Sequence, residues 1–177
     1  MGNIHFRHRF KGSGRVIFAA PGPASSMRIE RTALIMHSAS DMYELVHDVA
    51  AYPEFLRWCT HAQVHEQSDA HQVASLGVSV AGVVQRFTTR NELVSGERVS
   101  LALVEGPFRS LNGEWRFKPL GEQGSKVTLQ LNFDFVPGLI SMAFQSGFKY
   151  IADHMIQEFC KRADEQYGDI GAESKRG

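Results

Sequence analysis

The stretch Glu105-Gly106-Pro107-Phe108-Arg109-Ser110-Leu111-Asn112-Gly113-Glu114-Trp115-Arg116-Phe117 decides the fold. A strand pattern, Val99 to Val104, runs into Gly106-Pro107. Proline fixes its own φ and glycine accepts unusual ones, so the pair breaks the strand. A second strand pattern follows, with Leu111, Gly113, Trp115 and Phe117 on one face and Asn112, Glu114, Arg116 and Lys118 on the other. That alternation describes a sheet with one apolar and one wet face. Two large aromatics and a glycine on the apolar side predict a wide, curved surface. The functional question is whether that face packs solid or holds a ligand.

Working outward, Arg28 to His37 reads as the first strand, with Ile29, Ala33 and Ile35 in phase and Leu34 and Met36 opposite. Ser40 fits a helix N-cap with Glu44 near the first turn, and Met42, Leu45, Val46 and Val49 share one helical face. Tyr52-Pro53 is expected to end that helix, because a residue before proline avoids the α region. Pro53 to Cys59 then forms a short aromatic second helix or turn. Strands are predicted over Ala62 to Gln67, Gln72 to Val80, Val83 to Val94, Val99 to Val104, Leu111 to Pro119 and Lys126 to Val136, joined by short turns. The last alternates most cleanly: Val127, Leu129, Leu131, Phe133 and Phe135 face one way and Thr128, Gln130, Asn132 and Asp134 the other. After Pro137-Gly138 a helix is predicted from Leu139 to Tyr167, with Ile140, Phe144, Ile151, Met155 and Phe159 at helical spacing and Phe148 beside them. The expected class is α+β: a curved seven-stranded antiparallel sheet wrapped around a long C-terminal helix, with two short helices after strand 1. A curved sheet gripping a helix leaves a cavity between them unless side chains fill it.

The bulk numbers set limits. A chain of 177 residues with 43% apolar residues is one domain with a sizeable core. No apolar run approaches the roughly 18 residues of a membrane span. Net charge is zero, but residues 1–26 carry Arg7, Arg9, Lys11 and Arg15 with no acid, which leaves −4 on the rest. A mildly acidic domain argues against nonspecific nucleic-acid binding and against DNA as a partner. Cys59 and Cys160 are too few for a disulfide framework or a four-cysteine zinc site, and read as buried thiols in a reducing cytoplasm. Residues 1–26 show no periodic pattern and are read as a disordered extension, an over-long gene start ahead of Met27; 169–177 are read as a disordered tail.

The element order, with Ala51-Tyr52-Pro53-Glu54-Phe55-Leu56-Arg57-Trp58-Cys59 and the stretch from Glu105 to Phe117, resembles the START-like helix-grip superfamily and, within it, the coenzyme-Q-binding and ribosome association toxin family. The resemblance covers about residues 27–168, taken as one START-like domain. One position departs from the pattern: Arg57 stands where a proline is expected. The resemblance implies a hydrophobic ligand cavity and no catalytic residues. It implies a polyprenyl lipid such as ubiquinone as a bound ligand rather than a cofactor, and offers a ribosomal subunit as the alternative partner. It places the protein in the bacterial cytoplasm, with transient contact at the inner-membrane surface.

Site residues follow from that reading. Tyr52, Phe55, Leu56 and Trp58 are candidates for the cavity mouth; Phe108 and Leu111, after the Gly106-Pro107 break, for a mobile gate. Trp115, Phe117, Leu131 and Phe133 are candidate walls on the sheet; Phe144, Phe148, Ile151 and Met155 are the candidates on the helix, with Met142 and Met155 adding adaptable surface. The eight histidines show no metal spacing: His61 and His65 are expected to straddle a loop and a strand. No nucleophile elbow, phosphate loop or dinucleotide fingerprint is present. Arg86, Arg90, Arg109 and Arg116 are expected on the wet face, as a surface for ribosomal RNA or as solvated residues paired with Glu92 and Glu114. A polyketide-cyclase-type enzyme would need inward polar groups, for which Gln85 and Asn91 are the candidates.

Overall fold

A computed structural model describes residues 26–168. The extension and tail expected at the two ends lie, Ser26 apart, outside the described residues. Seven antiparallel strands form one sheet in the order β1-β7-β6-β5-β4-β3-β2. They are β1 (Met27–Ile35), β2 (Cys59–Gln67), β3 (His71–Val80), β4 (Val83–Val94), β5 (Arg98–Glu105), β6 (Phe108–Leu120) and β7 (Gly124–Phe135). Strands β2 to β7 follow one another as hairpins, and β1 adds to the far edge beside β7. The chain crosses from the β1 edge to the β2 edge through α1 (Ala39–His47), a 3-10 turn (Val49–Ala51) and α2 (Tyr52–Phe55). Bulges interrupt the β2–β3, β4–β5 and β6–β7 pairings. Each adds local twist, so the sheet curls around α3 (Met142–Tyr167).

The alternation in β7 holds throughout: Val127, Leu129, Leu131, Phe133 and Phe135 are all buried. The core divides along α3. Around its C-terminal half pack Met42, Val46, Leu56, Trp115, Phe117 and Phe159. Around its N-terminal half pack Phe108, Phe133, Phe135, Phe144 and Phe148. Polar clasps hold the helix from outside: Arg31 with Asp153, His37 with Asp164 at 2.7 Å, Trp58 Nε1 donating to Glu158 at 2.9 Å, and Arg162 with Glu54 at 3.4 Å.

Several local expectations are corrected. Ser38, not Ser40, caps α1: its hydroxyl accepts from the Asp41 N–H at 3.0 Å. This cap sets Asp41 in the first turn, where the helix dipole favours a carboxylate. Pro53 does not end α1, which stops at His47; it sits in the first turn of α2, where its missing N–H has no partner to lose. The second strand starts at Cys59, three residues early, so His61 and His65 both lie on β2. His65 Nε2 is 2.6 Å from Ser75 Oγ. The sixth strand starts at Phe108, so Gly106-Pro107 is a tight connection and Phe108 is no loop residue. Gly106 has φ +152° and a Cβ there would collide with Phe87, so the connection requires glycine. Glu66 and Asp134, rather than Glu92, supply the carboxylates near Arg90 and Arg109; Glu114 does pair with Arg116.

Candidate functional site

The sheet and α3 enclose a cavity of about 80 Å³. From α3 come Phe148, Ile151 and Met155, spaced three and four apart so that they share one stripe. From the sheet come Val78, Phe87, Leu101, Leu111, Trp115 and Leu131, each on the inward phase of its strand. Val46, Val49, Tyr52 and Trp58 close one end. Eight of the fourteen candidate residues are therefore brought to the wall: Tyr52, Trp58, Leu111, Trp115, Leu131, Phe148, Ile151 and Met155.

The other six pack away from it. Leu56, the residue that caps α2, is fully buried, and Phe55 meets Tyr52 and Phe159 edge-on with Arg162 over its ring. Phe117 packs against Tyr43 and Trp115. Phe108, Phe133 and Phe144 join Phe135 and Phe148 in an aromatic cluster. Met142 is 82% exposed at the first turn of α3 and faces no cavity. Sequence reasoning missed the walls on β3 and β4, Ala74, Leu76, Val78 and Phe87. Their alternation is legible in the sequence, but inward phase alone does not separate a chamber wall from solid core.

Two polar residues, Thr89 and Asn91, stand in the wall. Thr89 Oγ1 donates to Asn91 Oδ1 at 2.9 Å, Asn91 Nδ2 donates to Gln72 Oε1 at 3.1 Å, and Gln72 Nε2 donates to the His47 carbonyl at 3.1 Å. Buried amides and hydroxyls stay only when so partnered. Asn91 thus points inward as the phase of its strand predicted, whereas Gln85, six residues earlier in the same phase, lies beyond the chamber and borders a separate hollow with Arg86, Pro107 and Leu139.

The ionisable groups near the cavity are held neutral. Burial raises the Tyr52 phenol far above its ordinary value, and its hydroxyl donates to the Val46 carbonyl at 2.6 Å. Burial likewise pushes the Cys59 thiol up to about 11, only partly offset by its hydrogen bond to the His61 carbonyl. A protonated thiol is a poor nucleophile. The wall residues include no carboxylate, imidazole, ammonium or guanidinium. Among the described residues, no group of three or more His, Cys, Asp or Glu is placed to hold a metal ion. The arrangement suits holding an apolar molecule, with an amide and a hydroxyl to orient one polar atom of it.

Fold and site define a helix-grip protein of the START type, a curved antiparallel sheet closed over one helix with an apolar chamber between. The profile of the family described as polyketide cyclase / dehydrase and lipid transport matches residues 35–160. The chain belongs to this family. It is 45% identical over 142 residues to the ribosome association toxin RatA of Vibrio cholerae serotype O1, covering 80% of this chain and 99% of that one. It is 29% identical over 163 residues to the mitochondrial coenzyme Q-binding protein COQ10 homolog B of Xenopus laevis, covering 88% of this chain and 66% of that one. A START superfamily protein from Mycobacterium smegmatis shares the fold, with a TM-score of 0.66, 15% identity, and 78% and 97% of the two chains covered.

Proposed function

We propose that this protein is a non-catalytic binding protein that associates with a ribosomal subunit and hinders subunit joining. The observation that carries this reading is the 45% identity, over 99% of its length, to a protein named ribosome association toxin RatA. The family resemblance read from the sequence put a quinone-holding role first; this identity reverses the order. The test is sedimentation of the purified chain with ribosomal subunits. Co-sedimentation with one subunit, and fewer assembled ribosomes when the protein is overproduced, are expected. An unchanged ribosome profile with no co-sedimentation overturns it.

The cavity favours a second reading, in which the protein holds a polyprenyl quinone or a related ring-bearing lipid. Its wall is apolar except for Thr89 and Asn91, which suit a ring carrying a carbonyl or hydroxyl. Titration with a short-chain ubiquinone, followed by Trp58 and Trp115 fluorescence, should saturate. A flat titration on folded protein removes this reading and leaves the first intact. Acid–base catalysis of the cyclase type has no ionisable group in the wall to carry it beyond the neutral Tyr52. The first reading puts the protein in the bacterial cytoplasm, where the ribosomes are; the second adds contact with the inner membrane, where the quinone is.

A further inference from the structure

We propose that a basic hollow on the outer face of the sheet, where the β4–β5 turn meets β6, binds a small polyphosphate anion such as a nucleoside triphosphate, which goes beyond both readings above. The hollow has a volume of about 490 Å³, with Arg98, Arg116 and Lys118 among its walls and Glu97 its one carboxylate. Small-molecule sites commonly fall between roughly 300 and 1,000 Å³. It lies across the sheet from the chamber, since the strand neighbours of these cations, Val99, Trp115, Phe117 and Val127, are buried on the inner face. Its rim is fixed by backbone bonds: the Glu97 N–H donates to the Val94 carbonyl at 2.9 Å, and the Phe117 N–H to the Glu97 carbonyl at 2.8 Å.

The cations there oppose one another. Arg98 stands directly across the ladder from Arg116, and Lys118 directly across from Lys126. Like charges placed so destabilise a sheet. Elsewhere Arg28, Arg31, Arg90, Arg109, Lys161 and Arg162 each have a carboxylate partner. Lys118 and Lys126 are both exposed, and among the described residues no carboxylate pairs with either. Glu114 sits between the two arginines: it accepts from Arg116 Nε and from Ser100 Oγ at 3.1 Å, and lies 4.0 Å from Arg98 Nε. Its side chain is set back, 22% exposed against 45% for Arg98 and 66% for Arg116. Both contacts are to Nε, so Glu114 orients the guanidiniums and leaves their terminal N–H groups for a further acceptor.

The charge pattern around this corner selects a compact anion. Residues 26–168 as a whole carry 13 basic and 17 acidic residues, so the corner is a local exception. From Arg98 through Arg116 and Lys118 to Lys126 the cations step about 5 Å between strands and about 7 Å along β6. A polyphosphate gathers several charges and many acceptor oxygens within a few ångströms, and so meets three or four of these side chains at once. A nucleic-acid backbone carries one charge per nucleotide and runs on over the face. The next row of that face, Glu92, Ser100, Glu114, Gln130 and Glu30, holds three carboxylates that repel an extended polyanion. A short anion confined to the corner avoids them and supplies the neutralisation that Lys118 and Lys126 lack.

The test is calorimetric titration of the full chain with ATP and with inorganic triphosphate, in magnesium-free buffer of low ionic strength. Binding should be saturable, weaken as salt rises, and lift the melting temperature with anion concentration. Arg98→Gln and Lys118→Gln should each weaken it roughly fivefold, and the double variant roughly twentyfold, the effect of losing one and two exposed ion pairs. Without anion, Lys118→Gln should melt no lower than wild type, because it removes a like-charge opposition. Arg28→Gln is the control: Arg28 lies on the same outer face but is already paired with Glu30, and its loss should leave anion affinity unchanged. Tighter binding of ATP assigns the site to a nucleotide, and tighter binding of triphosphate to the inorganic anion; either supports the proposal. Absence of saturable binding to the wild-type chain overturns it. Unchanged affinity in the double variant also overturns it, and moves the anion to other cations such as those of residues 1–26. An RNA hairpin that binds at least tenfold more tightly than ATP, and is lost in the same double variant, overturns it in favour of nucleic acid.

Discussion

Phe108 is 5% exposed, stacks on Phe135 with centroids 4.9 Å apart and meets Phe87 and Phe148 at 5.4 and 5.1 Å. It is a core side chain, so Phe108→Ala should cost about 3–5 kcal/mol in urea denaturation, with no direct effect on guest affinity per folded molecule. A loss under about 1 kcal/mol, as for surface substitutions, would return it to a gate role. The two thiols predict a pH dependence. Burial raises both Cys59 and Cys160 from 9.0 to about 11, with Asp164 adding to the rise at Cys160. The unfolded chain releases these protons first, so unfolding gains progressively once pH passes about 9. Stability present below pH 9 should fall until about pH 11, and Cys59→Ala should flatten the decline. A melting temperature constant from pH 8 to 10.5 would contradict this assignment.

At the scale of elements, β7 gives the sharpest contrast. Phe133 is fully buried and meets Phe148 at 5.0 Å, whereas Thr128 faces outward opposite Arg116 and Thr32. Phe133→Asp would bury an unpaired carboxylate at a cost of several kcal/mol, comparable to the whole margin of a domain. The variant should be unfolded by circular dichroism. Thr128→Asp should melt like the wild type, because it places a carboxylate across the ladder from a guanidinium. Equal tolerance of both would reverse the faces of the sheet. Gly147 belongs to this scale as well: it lets the β3–β4 hairpin close on α3, with the Val80 side chain seated against the helix backbone where a Cβ would stand.

For the whole molecule, the size of the chamber decides what binding involves. At about 80 Å³ it is half the roughly 150 Å³ of an apolar cavity that admits a benzene ring. On the quinone reading, a ring would enter only as α3 and the sheet separate, so guest association should be slow compared with diffusion and should raise the melting temperature with guest concentration. Ala74 is 2% exposed in the chamber wall. Ala74→Leu should lower quinone affinity at least tenfold, while overpacking costs about 1–3 kcal/mol. Unchanged affinity by fluorescence titration would place the guest elsewhere.

The residue pattern by itself determined the number of strands, their hairpin order, the inward face of β6 and β7 and the covering helix. Alternation with period two and recurrence at three and four residues are local properties, and a buried face imposes them on every residue of an element. The motifs around Tyr52 and Glu105 were enough for the family. Tertiary structure decided which inward residues line the chamber and which fill the core. Phe133 and Leu131 stand two apart on one face with the same chemistry, yet only Leu131 borders the cavity. The difference is what covers each side chain: Phe133 is capped by the rings of Phe135 and Phe148, brought over it from its own strand and from α3, and that contact is made only when the helix closes on the sheet. Phe108 followed the same rule: Gly106-Pro107 marked a break, but only pairing with Phe135 across the ladder made the next residue a strand.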